Sequence, residues 1–488
     1  MVRSMKNNFA PISRIPSEIF SLIPGYWEGG DVDENLITMT HVCRGWRDLL
    51  IARPSLWTRL DCTNTDKTRI YIERSKSSPL ELSLCKHQIT YPEDAFLLVV
   101  PHISRLKSLS VDGAGDLLQD LTPYFSCPIP LLEELTIDLT GNPTPVLEGT
   151  LFDSDLSSLC SLSLLGVTTY LPWKGLSKLT TLKLCHVPED TISVAHLLDF
   201  FEDAYHLRDI TLNHSLPTSS NAPPERLVSL PCLTNLTICA NPVHSILLNH
   251  LSIPAGASLI LEFRFNGNKS PLPDFLPKTL GNLKNIFPIT SVNLWFDEAH
   301  KHVRLDGPNG RLYMLGHWAD WDWDDDSLFV SDRRILRSLS NFAISGTQRL
   351  AVTKYEPPAV VIEKSSPYHI LLRMKDLRTL TLTQSNNLPF ILALNPDKNP
   401  SENTLCPTLE EIVLYVEELE SFNIKELMSM AKARASRGTR LSSITIVGLG
   451  ALLPGEKVFK LKEHVTRVDY RVREKPLKWD SIAKDGDD

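Results

Sequence analysis

Several features that define other classes of protein are scarce or missing in this 488-residue sequence. Its nine cysteines form no C-x-x-C pair, so neither a zinc ribbon nor a disulfide framework is indicated. Its longest apolar run, residues 95–100, is far shorter than the roughly 20 residues that cross a bilayer. Its first eight residues contain no apolar run, and its net charge of −8 provides no basic face for phosphate backbones. We therefore expect no signal peptide, no membrane association, no nucleic-acid binding, and a reduced cytoplasmic or nuclear location.

Catalytic and cofactor-binding signatures are incomplete. The sequence contains neither a G-x-S-x-G elbow nor an H-E-x-x-H motif. Residues 450–457 (GALLPGEK) resemble a phosphate-binding loop, but Glu456 occupies the place of its lysine and would repel a phosphate. We interpret this stretch as a turn after a strand. The sequence predicts that the chain is not an enzyme and that it binds no cofactor and no metal ion.

The most unusual segment is acidic and rich in tryptophan. It covers residues 317–326 (HWADWDWDDD), in which Trp318, Trp321 and Trp323 stand beside carboxylates. A calcium-binding loop is not favoured, because Asp325 replaces the glycine that its sharp turn requires. Two interpretations remain: a loop that binds a basic or aromatic partner, or an exposed acidic insertion whose tryptophans pack on the rest of the chain.

The first sixty residues predict helices with more apolar surface than so short a segment can bury by itself. Pro16 suits the first position of a helix, which Pro24 ends. From residue 33, apolar side chains recur every three or four residues up to Pro54. This stripe consists of Leu36, Met39, Cys43, Trp46 and Leu50. Either the downstream part of the chain or a partner protein must cover it.

Three sub-motifs of this segment, in this order, resemble the F-box. They are residues 15–19 (IPSEI), 40–49 (THVCRGWRDL) and 53–57 (RPSLW). Residues 61–63 and 71–82 resemble the continuation found in basidiomycete fungal F-box proteins. In that family the F-box helices bind a Skp-family adaptor, which links them to a cullin scaffold and a ubiquitin-conjugating enzyme. The resemblance assigns adaptor binding to Pro16, Ile19, Leu22, Val42, Cys43, Trp46, Leu49, Pro54, Leu56 and Trp57.

Behind this segment a strand-like pattern recurs nine times. The pattern is L-x-x-L-x-L, with Ile or Val allowed for Leu, and its copies begin at Leu106, Leu132, Leu159, Leu179, Leu207, Leu233, Leu377, Leu409 and Leu441. Within the two groups, neighbouring copies begin 20 to 32 residues apart. The alternation predicts a strand with one buried face, and its repetition predicts a leucine-rich-repeat solenoid. The ninth residue of a copy is asparagine once, at Asn241, so we expect no continuous asparagine ladder.

The pattern fades between residues 255 and 370, although strand signals persist there. Residues 259–263 (LILEF) and 291–296 (SVNLWF) have the composition of repeat strands. Residues 302–305 and 311–315 flank the turn sequence DGPNG, which predicts a hairpin. Residues 465–472 alternate again and are interpreted as a capping strand.

The predicted fold class is α/β: a small N-terminal three-helix F-box followed by an irregular leucine-rich-repeat solenoid, which has one parallel sheet and a helical or looped convex side. The predicted organisation is an F-box at 12–60, a helix–strand connector and N-terminal cap at 61–104, repeats at 105–255, degenerate repeats with a hairpin and the acidic tryptophan-rich insertion at 256–370, repeats and a C-terminal cap at 371–475, and a flexible tail at 476–488.

Candidate target-binding residues follow from strand geometry, because residues between the buried leucines face away from the core. With the acidic segment they comprise Asp112, Asp138, Lys183, Asn213, Tyr415, Trp318, Trp321 and Trp323. Together with the F-box resemblance, this predicts a non-catalytic substrate-recognition subunit of a Skp–cullin–F-box ubiquitin ligase that binds a protein target. The alternative is a leucine-rich-repeat interaction scaffold without coupling to a ligase.

Overall fold

The chain folds into two compact units, Met1–Thr191 and Ile192–Asp488. The structure, a computed structural model, describes residues 15–20, 23, 32–85, 93–113, 128–139, 146–150, 156–170, 176–187, 193–215, 222–223, 225–239, 244–265, 277, 280–296, 300–318, 339, 342, 344–354, 365–398, 404–416, 423–449 and 455–473. The boundary between the units lies inside the block 105–255 that the sequence predicts as one run of repeats. Both units combine helices with strands that pair mostly in parallel, so the predicted α/β class is confirmed.

The first unit begins with short helices. They are α1 (Ser17–Phe20), α2 (Val32–Val42), α3 (Arg44–Ile51), α4 (Thr65–Ser75) and α5 (Glu93–Val99). Side chains determine where two of them begin: the Cys43 thiol accepts a hydrogen bond from the Trp46 N–H in α3, and the Asn64 side-chain oxygen accepts from two N–H groups in the first turn of α4. Such caps satisfy N–H groups that have no partner within the helix. A 3₁₀ helix, Pro54–Trp57, follows α3.

The strands of the first unit form a parallel ladder. They are β1 (Arg59–Leu60), β2 (Leu80–Cys85), β3 (Leu106–Asp112), β4 (Glu134–Asp138), β5 (Val146–Thr150), β6 (Ser161–Leu165), β7 (Thr168–Tyr170) and β8 (Thr181–Cys185). The ladder has the order β1–β2–β3–β4–β6–β8, and β5 pairs with β7 in a separate sheet. The repeated pattern is in register, because Leu135, Leu162 and Leu182, each the fourth residue of a copy, are paired neighbours.

The second unit contains more elements of the same kinds. Its helices are α6 (Val194–Asp203), α7 (His244–Leu248), α8 (Ser365–Arg373), α9 (Gln384–Leu394), α10 (Ile424–Ser436) and α11 (Gly455–Lys462). Its strands are β9 (Asp209–Asn213), β10 (Val228–Ser229), β11 (Asn235–Cys239), β12 (Leu251–Ser252), β13 (Ser258–Phe265), β14 (Ser291–Phe296), β15 (His300–Asp306), β16 (Arg311–Trp318), β17 (Arg349–Lys354), β18 (Thr379–Thr383), β19 (Glu411–Val416), β20 (Ser443–Leu449) and β21 (Arg467–Arg473). Residues 455–457 belong to α11 and not to the turn that the sequence predicted; residues 450–454 and the predicted tail at 476–488 lie outside the described residues.

The ladder of the second unit has the order β9–β11–β13–β16–β15–β14–β17–β18–β19–β20–β21. The pairs β14–β15 and β15–β16 are antiparallel, and the other pairs are parallel. The predicted hairpin is therefore confirmed, with residues 307–310 between β15 and β16. It belongs to a three-stranded meander, β14–β15–β16, which is inserted between the parallel strands β13 and β17. β10 and β12 pair separately.

One face of each ladder is apolar and buried. In β18, Leu380 and Leu382 are fully buried, whereas Thr379 and Thr381, which alternate with them, are half-buried. Helix α9, with Phe390 buried, packs against β17, β18 and β19. Full burial stabilises each such leucine by about 1.5–3 kcal/mol relative to exposure. We call the opposite face, formed by the residues between the buried ones, the open face.

At the turns after the strands, backbone N–H groups donate to carbonyl groups that an asparagine ladder would otherwise satisfy. The residue that follows β6, β8 and β9 has positive φ: Gly166 (63°), His186 (53°) and His214 (48°). The Gly166 N–H donates to the Cys185 carbonyl of the next strand at 2.9 Å. A Cβ atom at Gly166 would lie 2.3 Å from the Leu139 carbonyl oxygen, so this turn requires glycine.

Candidate functional site

The helical segment of the first unit exposes apolar side chains. Ile19 in α1 and Val42 in α2 are each 54% exposed, and Leu49 in α3 is 37% exposed. Leu36 and Leu50, on the inward side of the same helices, are buried. The segment therefore has apolar side chains on two sides, of which the described structure covers one.

Trp57 holds the inward side of this segment together. Its indole N–H donates to the Leu50 carbonyl at 2.9 Å, and its ring lies edge-on to Tyr71 with 5.0 Å between centroids. The Arg74 guanidinium lies 4.3 Å from the centre of the same ring. Trp57 is fully buried, so its predicted place among the adaptor contacts is corrected: it belongs to the core of the first unit, where its ring and N–H are already used.

The other predicted adaptor contacts differ in exposure. Pro16 is exposed, and the half-buried members are Cys43, Trp46, Pro54 and Leu56. Leu22 lies outside the described residues. The rings of Phe20 and Trp46 have centroids 4.6 Å apart, a contact that links α1 to α3. Exposed apolar surface thus lies on α1, α2 and α3 at the predicted positions Ile19, Val42 and Leu49.

Three predicted target contacts lie on the open face of the first unit. Asp112 on β3 is paired with Asp138 on β4, and Lys183 lies on β8. Desolvation and the charge of Asp112 raise the pKa of Asp138, although Lys183 acts in the opposite direction. The Oδ1 atom of Asp138 is buried and accepts no hydrogen bond from the residues that the structure describes. The pair places two carboxylates side by side on this face.

A cavity of about 470 Å³ lies on the open face of the second unit. It is formed at the amino-terminal ends of β14, β17 and β18, beside the turn 306–310 of the meander. The polar and aromatic side chains on which its chemistry depends are Asn293, Arg304, Asp306, Arg311, Arg349 and Tyr415.

The inner wall of the cavity is a buried ion pair. The Arg304 Nε donates to Asp306 Oδ1 at 2.8 Å on the same face of β15. The Asn293 side-chain amide, on β14, donates to the second carboxylate oxygen at 3.4 Å. The side chains of Arg304 and Asp306 are 11% and 16% exposed, so both partners are held in place. The Asp306 charge is thereby compensated within the cavity wall.

Two further arginines of the cavity lining lie at the starts of strands. Arg311, the first residue of β16, and Arg349, the first residue of β17, are both exposed. Neither guanidinium has a hydrogen-bonded or ion-paired partner among the described residues. With Arg304 and Asp306, the cavity is lined by three guanidinium groups and one carboxylate, a net charge of +2. It therefore favours an anionic ligand.

Tyr415 is the predicted target contact that lines this cavity. It lies on β19, and the Arg473 guanidinium stands 5.3 Å from the centre of its ring. Asn213, another predicted contact, is half-buried on β9. The backbone of Trp318 ends β16, but its side chain, like the whole of Trp321 and Trp323, lies outside the described residues.

Sequence reasoning did not select the three arginines. Arg304, Arg311 and Arg349 lie where the repeat pattern fades, and no motif connects them. A signal was present, because Arg311 and Arg349 each directly precede an alternating apolar run. Their convergence depends on strand pairing across the meander, which the spacing of residues in the sequence does not specify.

The class that these observations define is an α/β protein built from repeated parallel strands, with a cavity on the open face of its second unit. Within the described ranges, no group of His, Cys, Asp and Glu is arranged to bind a metal ion. The same ranges contain no helix with the length and apolar composition that crossing a membrane requires. Neither a protein-family model nor a curated protein sequence matches the chain.

Proposed function

We propose that the chain is a substrate-recognition subunit of a Skp–cullin–F-box ubiquitin ligase. In this proposal residues 12–60 form the F-box and bind a Skp-family adaptor, which links them to a cullin, and the leucine-rich-repeat strands present a target protein. The observation that carries the proposal is the exposure of Ile19, Val42 and Leu49, three positions to which the F-box resemblance assigns adaptor binding.

The energetics of these side chains favour a protein partner. Burying a Val, Leu or Ile side chain from full exposure gains about 1.5–3 kcal/mol. Because the three side chains are roughly half exposed, each would gain roughly 1 kcal/mol on docking. Together they would contribute roughly 3 kcal/mol, which corresponds to about a hundredfold in Kd.

The proposed role requires no covalent chemistry by the chain. A target held by the second unit would be presented to the conjugating enzyme through the adaptor and cullin, which raises its effective concentration there. The cavity on the open face supports this role because its wall groups are fixed by strands and by the Arg304–Asp306 pair. We propose that the complex acts in the cytoplasm, the nucleus or both.

Adaptor binding is tested by charging the exposed apolar surface. We expect the full-length Val42→Glu/Leu49→Glu variant to bind a purified Skp-family adaptor about thirtyfold more weakly than the native chain from the lost apolar contacts alone, measured by calorimetry and by co-elution. The matched control is Leu131→Glu, which charges an exposed apolar side chain of the same unit outside the segment. Circular dichroism should show the native fold for both variants. A native chain that does not bind the adaptor, or a double variant that binds as well as the control, contradicts the proposal.

The alternative is an interaction scaffold that is not coupled to a ligase. The target-binding cavity would serve a scaffold equally well, so it does not separate the two. Ubiquitination of a captured target, measured in cells with and without the protein, does: the ligase subunit predicts a decrease when the protein is removed, and the scaffold predicts no change.

A further inference from the structure

We infer that the cavity of the second unit binds a phosphate group, carried by a phosphorylated side chain of the target protein. This inference rests on the proposed function, because it takes the cavity as the place where the target is held. It adds the chemical class of the group that is recognised, which neither the F-box resemblance nor the repeat pattern specifies.

The arginines are arranged by a row of cross-strand partners. Arg311, Asp306, Ser291 and Arg349 are successive neighbours on β16, β15, β14 and β17. At about 4.8 Å between strands, the Cα atoms of Arg311 and Arg349 are about 14 Å apart. Their side chains can therefore approach a ligand above the middle of the row from both sides. Arg304 lies two residues before Asp306 on β15, on the same face of the strand.

The charges favour a phosphate over a single carboxylate. Asp306 accepts from Arg304 and Asn293, so its charge is compensated inside the wall, and Arg311 and Arg349 are left to neutralise a ligand. A phosphorylated side chain carries about −1.5 to −2 charges at neutral pH, close to the +2 of the cavity lining. It also presents three acceptor oxygens to more than one guanidinium, whereas a carboxylate has two oxygens and is satisfied by one guanidinium fork.

The remaining wall suits the residues beside a phosphate. A volume of about 470 Å³ exceeds that of a phosphate group and leaves space for part of a peptide. Tyr415 provides an aromatic surface on one side, and Thr379 and Thr381 provide hydroxyl groups on β18. The phosphate of a bound peptide would thus be held by the charged side chains at the meander. The peptide residues beside the phosphate would make neutral contacts toward β19.

The test uses the full chain and three five-residue peptides that differ at their central position: phosphothreonine, threonine and glutamate. We expect the phosphothreonine peptide to bind and the threonine peptide not to bind in calorimetry. Arg311→Gln and Arg349→Gln should each weaken that binding about tenfold, and the double variant about a hundredfold. The matched control is Arg378→Gln, which removes an exposed arginine that pairs with Glu410 and does not line the cavity. It should bind as the native chain does.

Inorganic phosphate, titrated alone and in competition with the peptide, identifies the source of the group. If it binds as tightly as the peptide and is lost in the same variants, the phosphate site is supported and its natural ligand is a soluble phosphate compound. Equal binding of the glutamate and phosphothreonine peptides overturns the assignment to phosphate. So does the absence of binding by both phosphate probes, or binding that both arginine variants retain. Adaptor binding is measured on the same samples: if it persists while phosphate binding is absent, the inference fails and the proposed function stands, whereas loss of adaptor binding by the native chain counts against the proposed function.

Discussion

At the residue scale, two aspartates of the first unit have pKa shifts of opposite sign. Desolvation and the neighbouring Asp112 raise the pKa of Asp138. Burial alone would raise the pKa of Asp61 as well, but hydrogen bonds from Lys67 and Thr63 outweigh it and lower the pKa of that carboxyl. The Lys67 Nζ is 2.6 Å from Asp61 Oδ2. The ionised form therefore weakens the folded state at Asp138 and strengthens it at Asp61.

The opposite directions of these two pKa shifts predict that two isosteric variants change the free energy of unfolding in opposite directions. Asp138→Asn should increase the free energy of unfolding at neutral pH. The gain should decline as pH falls through the raised folded pKa, and it should vanish below 3.8, the ordinary value. Asp61→Asn should decrease the free energy of unfolding above 3.8, and this loss should disappear as pH falls through the lowered folded pKa. Urea unfolding across the acid range measures both; effects of the same sign in the two variants contradict the assignment.

At the scale of elements, the meander depends on a tight turn pressed against neighbouring backbone. A Cβ atom at Gly310 would lie 2.5 Å from the Ala255 carbonyl oxygen and 2.6 Å from that of Ala257. At Gly307 it would lie 2.5 Å from the Asn285 carbonyl oxygen. The absence of side chains lets the turn pack here and form one wall of the cavity.

This close approach predicts that Gly310→Ala changes both stability and ligand binding. The added methyl group should lower the free energy of unfolding by roughly 1–3 kcal/mol, the usual effect of overpacking. It should also weaken phosphothreonine-peptide binding, because the turn and Arg311 move together. Gly256→Ala is the control, since a Cβ atom there has no neighbour within 4 Å. Urea unfolding measures the stability of both variants, and calorimetry measures their peptide binding. A Gly310→Ala variant that is as stable as the control would contradict the prediction.

At the scale of the whole molecule, the two proposed surfaces belong to different compact units. The exposed apolar residues lie in the first unit, and the arginine-lined cavity lies in the second. Substitutions that share no partners usually have additive effects. The division into units therefore predicts that adaptor binding and phosphate binding can be lost separately.

This separation predicts the behaviour of a combined set of variants. Val42→Glu/Leu49→Glu should lose adaptor binding and retain native affinity for the phosphothreonine peptide. Arg311→Gln/Arg349→Gln should show the reverse, and a variant with all four changes should lose both, with additive free energies. Calorimetry with each ligand provides the measurements. Loss of both activities in either double variant would show coupling between the surfaces.

Local patterns predicted individual elements well. All nine copies of the leucine pattern coincide with strands, from β3 to β20, and the sequence DGPNG joins β15 to β16. Pro16, Cys43 and Pro54 stand at or directly before the starts of α1, α3 and the 3₁₀ helix. Such features depend on interactions between residues close together in the chain, so the sequence shows them directly.

What the sequence by itself determined is therefore the nine repeat strands, the hairpin, the α/β class and the apolar stripe of the first helices. The tertiary structure decided which side of the stripe is buried, with Trp57 inside and Ile19, Val42 and Leu49 outside. It also decided that β16 and β14, and not consecutive strands, border β13 and β17. That order brings Arg304, Arg311 and Arg349 to one cavity. The physical reason is that burial and strand neighbours depend on contacts between residues far apart in the chain, which local periodicity does not encode.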